Sequence, residues 1–154
     1  MLIVSNTSPI IFLEKLGVLN LLSELFSPIH VPEAVYDELR GLSLPQWINK
    51  TPISSSGRQF VEGALGRLHT GELEAMVLAR EIQAEFVLLD DFLARKKAQR
   101  MGLSVLGTIG ILILANKKKL STAEATLQIL DELIHQHGFY ISGPMIEQIK
   151  SSIA

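Results

Sequence analysis

The chain contains no cysteine, which excludes disulfide scaffolds, thiolate metal centres and cysteine nucleophiles. Aromatics make up only 6%, with a single tryptophan, and charged residues only 19%. Neither sign dominates: 14 Lys and Arg stand against 16 Asp and Glu, a net charge of −2. No global basic field therefore draws nucleic acid, and any such binding needs a local patch. No apolar run approaches a membrane span: the longest, Ile109 to Ala115, is short and is followed by Lys117-Lys118-Lys119. The first charged side chain is Glu14, so a positively charged leader is missing and the chain reads as a soluble cytoplasmic protein.

What is present is apolar. Hydrophobic residues form 47% of 154, enough for one core and one domain and too many for a disordered chain. The low charge suggests that a partner buries part of the surface.

Short apolar strands alternate with helices along the chain. Met1 to Val4, Ile29 to Val31, Phe86 to Leu89, Ser104 to Leu106 and Phe139 to Ile141 read as strands. Helices are expected from Ile10 to Lys15 with Pro9 at the first helical position, from Val18 to Phe26, and from Pro32 through Glu38 to Arg40. Others are expected over Arg58–Arg67, Gly71–Ile82 capped by Thr70, Phe92–Met101, Thr108–Leu114, Ser121–His137 and Pro144–Ile149. Residues 42–57, rich in Pro and Ser, read as a mobile loop. The alternation predicts an α/β fold with a parallel sheet covered on both faces.

Ligands of such sheets sit outside the carboxyl ends of the strands. Asn6 follows the first strand, and Asp90 and Asp91 follow Phe86 to Leu89. Glu38 and Glu72 lie on helices that can lean over the same edge. Clustered carboxylates repel unless they share a cation, and hard oxygen donors favour Mg²⁺ or Mn²⁺. Such an ion can activate water and clamp a phosphate. Rival chemistry is weak: Gly107-Thr108-Ile109-Gly110 lacks the spacing and lysine of a phosphate loop, and no nucleophile elbow is present.

Four segments in order resemble the PIN-domain family, in particular its small prokaryotic branch related to VapC-like toxin ribonucleases. They are Ser5-Asn6-Thr7-Ser8-Pro9, Val31-Pro32-Glu33-Ala34-Val35-Tyr36-Asp37-Glu38, Gly71-Glu72-Leu73-Glu74-Ala75 with Leu78-Ala79, and Leu88-Leu89-Asp90-Asp91 with Ala94-Arg95. The resemblance implies a three-layer α-β-α fold with about five parallel strands and an acidic pocket. It also implies Mg²⁺- or Mn²⁺-dependent hydrolysis of RNA. Asn6, Glu38, Glu72 and either Asp91 or Asp90 take the four acidic positions, and Ser8 supplies a hydroxyl. Asn6 departs from the pattern, which usually has Asp there: its amide can still ligate a metal but brings no charge. The resemblance further implies a homodimer and a small antitoxin partner.

Each residue also has a plainer reading. Asn6 can simply cap a helix, Glu38 can be a solvated helix carboxylate, and Glu72 can answer a helix dipole. Glu72 and Glu74, two apart, point to different sides, so only one faces the pocket well. Of Asp90 and Asp91, one is expected to cap the next helix. Arg95, Lys96, Lys97 and Arg100 are either a phosphate-tracking patch or a solvated face. His30, His69, His135 and His137 lack metal spacing and read as structural or exposed. Trp47 either packs locally, meets a partner or stacks on a base. Two functions from different classes follow: a metal-dependent ribonuclease, or a PIN-fold binding module with weak or no catalysis. A receiver-like phosphate domain fits less well, because Asp90-Asp91 come late in the chain.

Overall fold

The computed structural model describes residues 2–154. Five short strands form one parallel sheet: β1 (Ile3–Ser5), β2 (Ile29–Val31), β3 (Ile48–Lys50), β4 (Phe86–Leu88) and β5 (Val105–Leu106). Their order is β3-β2-β1-β4-β5, and every neighbouring pair runs parallel. The helices are α1 (Thr7–Lys15), α2 (Asn20–Leu25), α3 (Glu33–Glu38), α4 (Ser55–Ala64), α5 (Thr70–Glu81), α6 (Phe92–Arg100), α7 (Thr108–Lys117), α8 (Ala123–Gln136) and α9 (Gly143–Ser151).

The period-two alternation of the strands separates two cores. Ile3 and Leu88 face one core, with Ile10, Leu22, Val35 and Ile111 from α1, α2, α3 and α7. Val4, Val87 and Leu89 face the other, with Leu73, Met76 and Ala94 from α5 and α6. Helices thus cover both faces, the three-layer α/β arrangement the sequence predicts.

The strand order places the site. The chain winds outward from β1 to β3, then returns to lay β4 on the opposite side of β1. That reversal opens a crevice between the carboxyl ends of β1 and β4, where doubly wound sheets bind their ligands. The Asn6 N–H donates to the Leu88 carbonyl at 3.0 Å, so the first residue past β1 is still held against β4.

The sheet differs from expectation in two strands. Residues 42–57 contain β3, hydrogen-bonded along β2, and α4, capped by Ser54, begins at Ser55, three residues before the expected helix start. Of the three β3 side chains only Ile48 is buried, so apolar alternation does not reveal the strand. Phe139 to Ile141 is not a strand. Phe139 packs edge-on against Phe12 at 5.2 Å between ring centroids, while Tyr140 is 90% exposed. Other helix starts move too: α1 begins at Thr7, so Pro9 is its third residue, α2 begins at Asn20 rather than Val18, α8 at Ala123 rather than Ser121, and His69 rather than Thr70 is the N-cap of α5. The part of the expected first strand on Met1 lies outside the described residues. Trp47 is partly buried against the first core, and its carbonyl accepts from the Ile29 N–H at 2.9 Å.

Candidate functional site

At the switch point lies a cleft of about 610 Å³ lined by Asn6, Thr7, Ser8, Glu38, His69 and Glu72, among others. Three helix ends build it. The N-terminus of α1 supplies Asn6, Thr7 and Ser8, the C-terminus of α3 supplies Glu38, and the N-terminus of α5 supplies Glu72.

Asn6 occupies the N-cap position of α1, yet its side chain makes no capping hydrogen bond. It is only 6% exposed and lines the cleft. Its plainer reading as a cap therefore lacks the bond that would support it. The hydroxyl that meets the acidic group is that of Thr7, whose Oγ1 donates to Glu38 Oε2 at 2.8 Å. Ser8 lines the same cleft. Glu38 reaches in because residue 71 is glycine. A Cβ there would stand 2.6 Å from Glu38 Oε1.

Glu72 carries the strongest sign of an unmet charge. Its Oε2 is buried and has no hydrogen-bond partner. Burial, then the Asp91 carboxylate and more weakly Glu38, push its pKa above the usual Glu range. The His69 backbone N–H and imidazole pull it back only in part. Glu74 points elsewhere: its Oε1 accepts from the Ala34 N–H at 3.0 Å and caps the start of α3. The choice left open between Glu72 and Glu74 falls to Glu72.

The two aspartates after β4 separate similarly. Asp90 is engaged at the start of α7, where its two oxygens accept from the Thr108 N–H and Thr108 Oγ1, both at 2.7 Å. Burial raises its pKa, opposed by those bonds and by Arg95. Asp91 caps α6 through Oδ2, which accepts from the Ala94 N–H at 2.9 Å, and its charge reaches Glu72. Both aspartates thus cap helices, and Asp91 is the one whose charge acts on Glu72. Arg95 turns inward, with Nη1 donating to the Leu89 carbonyl at 3.1 Å. Lys96 stays exposed over the Phe92 ring.

Thr7 and His69 line the cleft without being among the expected site residues; His69 is exposed, as expected, and is the N-cap of α5. A signal for His69 was available. A Glu at the third position of a helix counts back three to its N-cap, which from Glu72 is His69. Its own type, rare among caps, concealed it.

The donors suit a divalent cation. A buried, unpartnered carboxylate oxygen pressed by two further carboxylates is relieved by positive charge. Among the described residues, however, no three His, Asp or Glu side chains stand together as an ion-holding group. The set therefore needs the Asn6 amide or oxygens from outside the chain. Mg²⁺ is commonly held in this way, by one or two carboxylates plus substrate phosphate.

A doubly wound parallel sheet with carboxylates at its carboxyl edge defines a three-layer α/β domain with an acidic site at its switch point. More particularly, the family model DUF3368, a PIN domain, matches residues 2–154, and the chain belongs to the PIN-domain family. No curated protein matches the chain. PIN domains are generally nucleases and typically depend on divalent metal ions. No helix of the described residues is long and apolar enough to cross a membrane.

Proposed function

We propose that the protein is a divalent-metal-dependent endoribonuclease whose reaction takes place in the cleft between β1 and β4. The observation that carries this reading is the buried Glu72 oxygen without a partner, flanked by the charges of Asp91 and Glu38. Glu38 and Glu72 would hold Mg²⁺ or Mn²⁺ with the Asn6 amide oxygen as a neutral donor and oxygens of the substrate completing the set, while Asp91 would add its charge from beside the cleft. Such an ion supplies Lewis acidity, making water more acidic and neutralising charge on a phosphodiester. The chain's own groups position and orient. Thr7 holds Glu38, Asp90 ties α7 to the end of β4, and Asp91 starts α6 beside the cleft.

The preference for RNA is supported by the four segments resembling toxin ribonucleases. The same resemblance supports a toxin role in a toxin–antitoxin pair, acting as a cytoplasmic homodimer neutralised by a small antitoxin. The test is a Mg²⁺ and Mn²⁺ titration of purified protein, with cleavage of mixed single-stranded RNA read in parallel. Glu38→Gln and Asp91→Asn serve as controls against contaminating nuclease. Metal binding with cleavage, both lost in the variants, is the expected result. The absence of both binding and cleavage, after removal of any co-purified partner, would overturn the proposal.

One observation favours a second reading, a PIN-fold binding or regulatory module with little catalysis. Asn6 places a neutral amide in the cleft, where a carboxylate would hold a cation more strongly, so an ion would be held more weakly and would activate water less. Asn6→Asp separates the two readings: a weakened enzyme gains metal affinity and cleavage rate, whereas a scaffold gains little.

A further inference from the structure

The helix that begins beside the cleft carries a surface that packing does not explain. On α6, Phe92 is 67% exposed and Leu93 is 44% exposed. Lys96 Nζ stands 4.9 Å from the Phe92 ring centroid, and Lys97 Nζ stands 5.8 Å from that of Phe60 on α4, itself 42% exposed. Among the described residues, none of Lys96, Lys97 and Arg100 forms a salt bridge with a carboxylate. Phe92, Lys96 and Arg100 recur at helical spacing, so they form one stripe about 12 Å long. The stripe starts at the residue after Asp91, whose charge acts on Glu72 in the cleft.

We propose that this ledge of Phe92, Lys96, Lys97 and Arg100, with Phe60 beside it, holds single-stranded nucleic acid, a base stacking on Phe92 and phosphates meeting the cations. The inference rests on the nuclease reading for its biological sense, but not for its test. Exposed aromatics interleaved with unpaired cations are the means by which proteins grip single strands without reading sequence. A protein-binding surface fits less well, because lysine is depleted from protein interfaces. Net charge is −2, so this local cluster supplies the positive field that the whole chain lacks. Arg95 is not part of the ledge, because its guanidinium is spent on the Leu89 carbonyl.

The test is fluorescence anisotropy of a short labelled oligouridylate with the full chain in EDTA, where metal-dependent cleavage is silent. Phe92→Ala is expected to weaken binding by at least about fivefold, and Phe92→Tyr to retain it. The double variant Lys96→Gln, Lys97→Gln is expected to reduce the salt slope of binding by about 1.4, for two phosphate contacts on a single strand. Lys118→Gln, an exposed lysine at the far end of α7 and outside the ledge, is expected to bind as the wild type does. If the wild type binds and Phe92→Ala does not, yet no metal supports cleavage, the ledge stands and the nuclease reading fails. If Phe92→Ala binds the oligonucleotide with unchanged affinity, the ledge is overturned while the nuclease reading survives. If Phe92→Ala leaves affinity unchanged but shifts sedimentation from dimer to monomer, the ledge is a protein interface and the proposal is likewise overturned.

Discussion

Glu72 is where local energetics and chemistry conflict most. Its pKa in the folded chain is raised by burial, Asp91 and Glu38, so folding favours its protonated form. The corresponding stability is fully present below the usual Glu range and is lost as pH rises through the elevated pKa. Glu72→Gln, which cannot ionise, should therefore melt higher than the wild type at pH 7 in metal-free buffer. The rise should be small, because Glu72 is only half-buried and solvent screens the repulsion. The gap should close below the usual Glu range, which thermal melts across pH will show. Asn6→Asp should do the reverse, placing a further carboxylate beside Glu38 and Glu72 in the cleft. It should lower the metal-free melting temperature and raise Mn²⁺ affinity in calorimetry.

At the scale of elements, helix ends are held by carboxylates that look alike in sequence. Asp90 satisfies two donors of the fully buried Thr108 at the start of α7. Asp90→Ala strands both donors and should cost about 2 kcal/mol in urea denaturation. Asp91→Ala removes one capping bond and should cost about 1 kcal/mol. Gly71→Ala tests the approach of α3 to α5. The added Cβ crowds the end of the flexible Glu38 side chain, 2.6 Å away, and touches Val35 at an ordinary contact distance of 3.5 Å. Stability should change little, while Glu38 is displaced, so Mn²⁺ affinity and cleavage should fall together.

At the scale of the whole molecule, an ion that binds only the folded chain should stabilise it by mass action. Mn²⁺ at a hundredfold excess over its Kd should add about 2.7 kcal/mol. The gain should vanish in Glu38→Gln and Glu72→Gln, read as melting temperature against Mn²⁺ concentration. The parallel sheet and its helices were legible because Ile3-Val4, Ile29-His30-Val31 and Phe86-Val87-Leu88 are compact apolar runs between helical segments. β3 was not legible, since an edge strand is defined by backbone pairing with β2 and buries only one side chain. Phe139 to Ile141 had the composition of a strand without a neighbour to pair with.

The sequence by itself determined the fold class, the cysteine-free oxygen chemistry and the short list of carboxylates, because periodicity and residue type are local properties. Tertiary structure alone decided that Glu72 rather than Glu74 enters the cleft and that Asp91 rather than Asp90 presses on it. It also decided that Thr7 and His69 join them. Those choices depend on how α1, α3 and α5, distant in the chain, present their ends to one crevice, and on where the start of α7 draws Asp90. A single donor such as the Ala34 or Thr108 N–H is enough to draw one carboxylate away and leave its neighbour to the cleft.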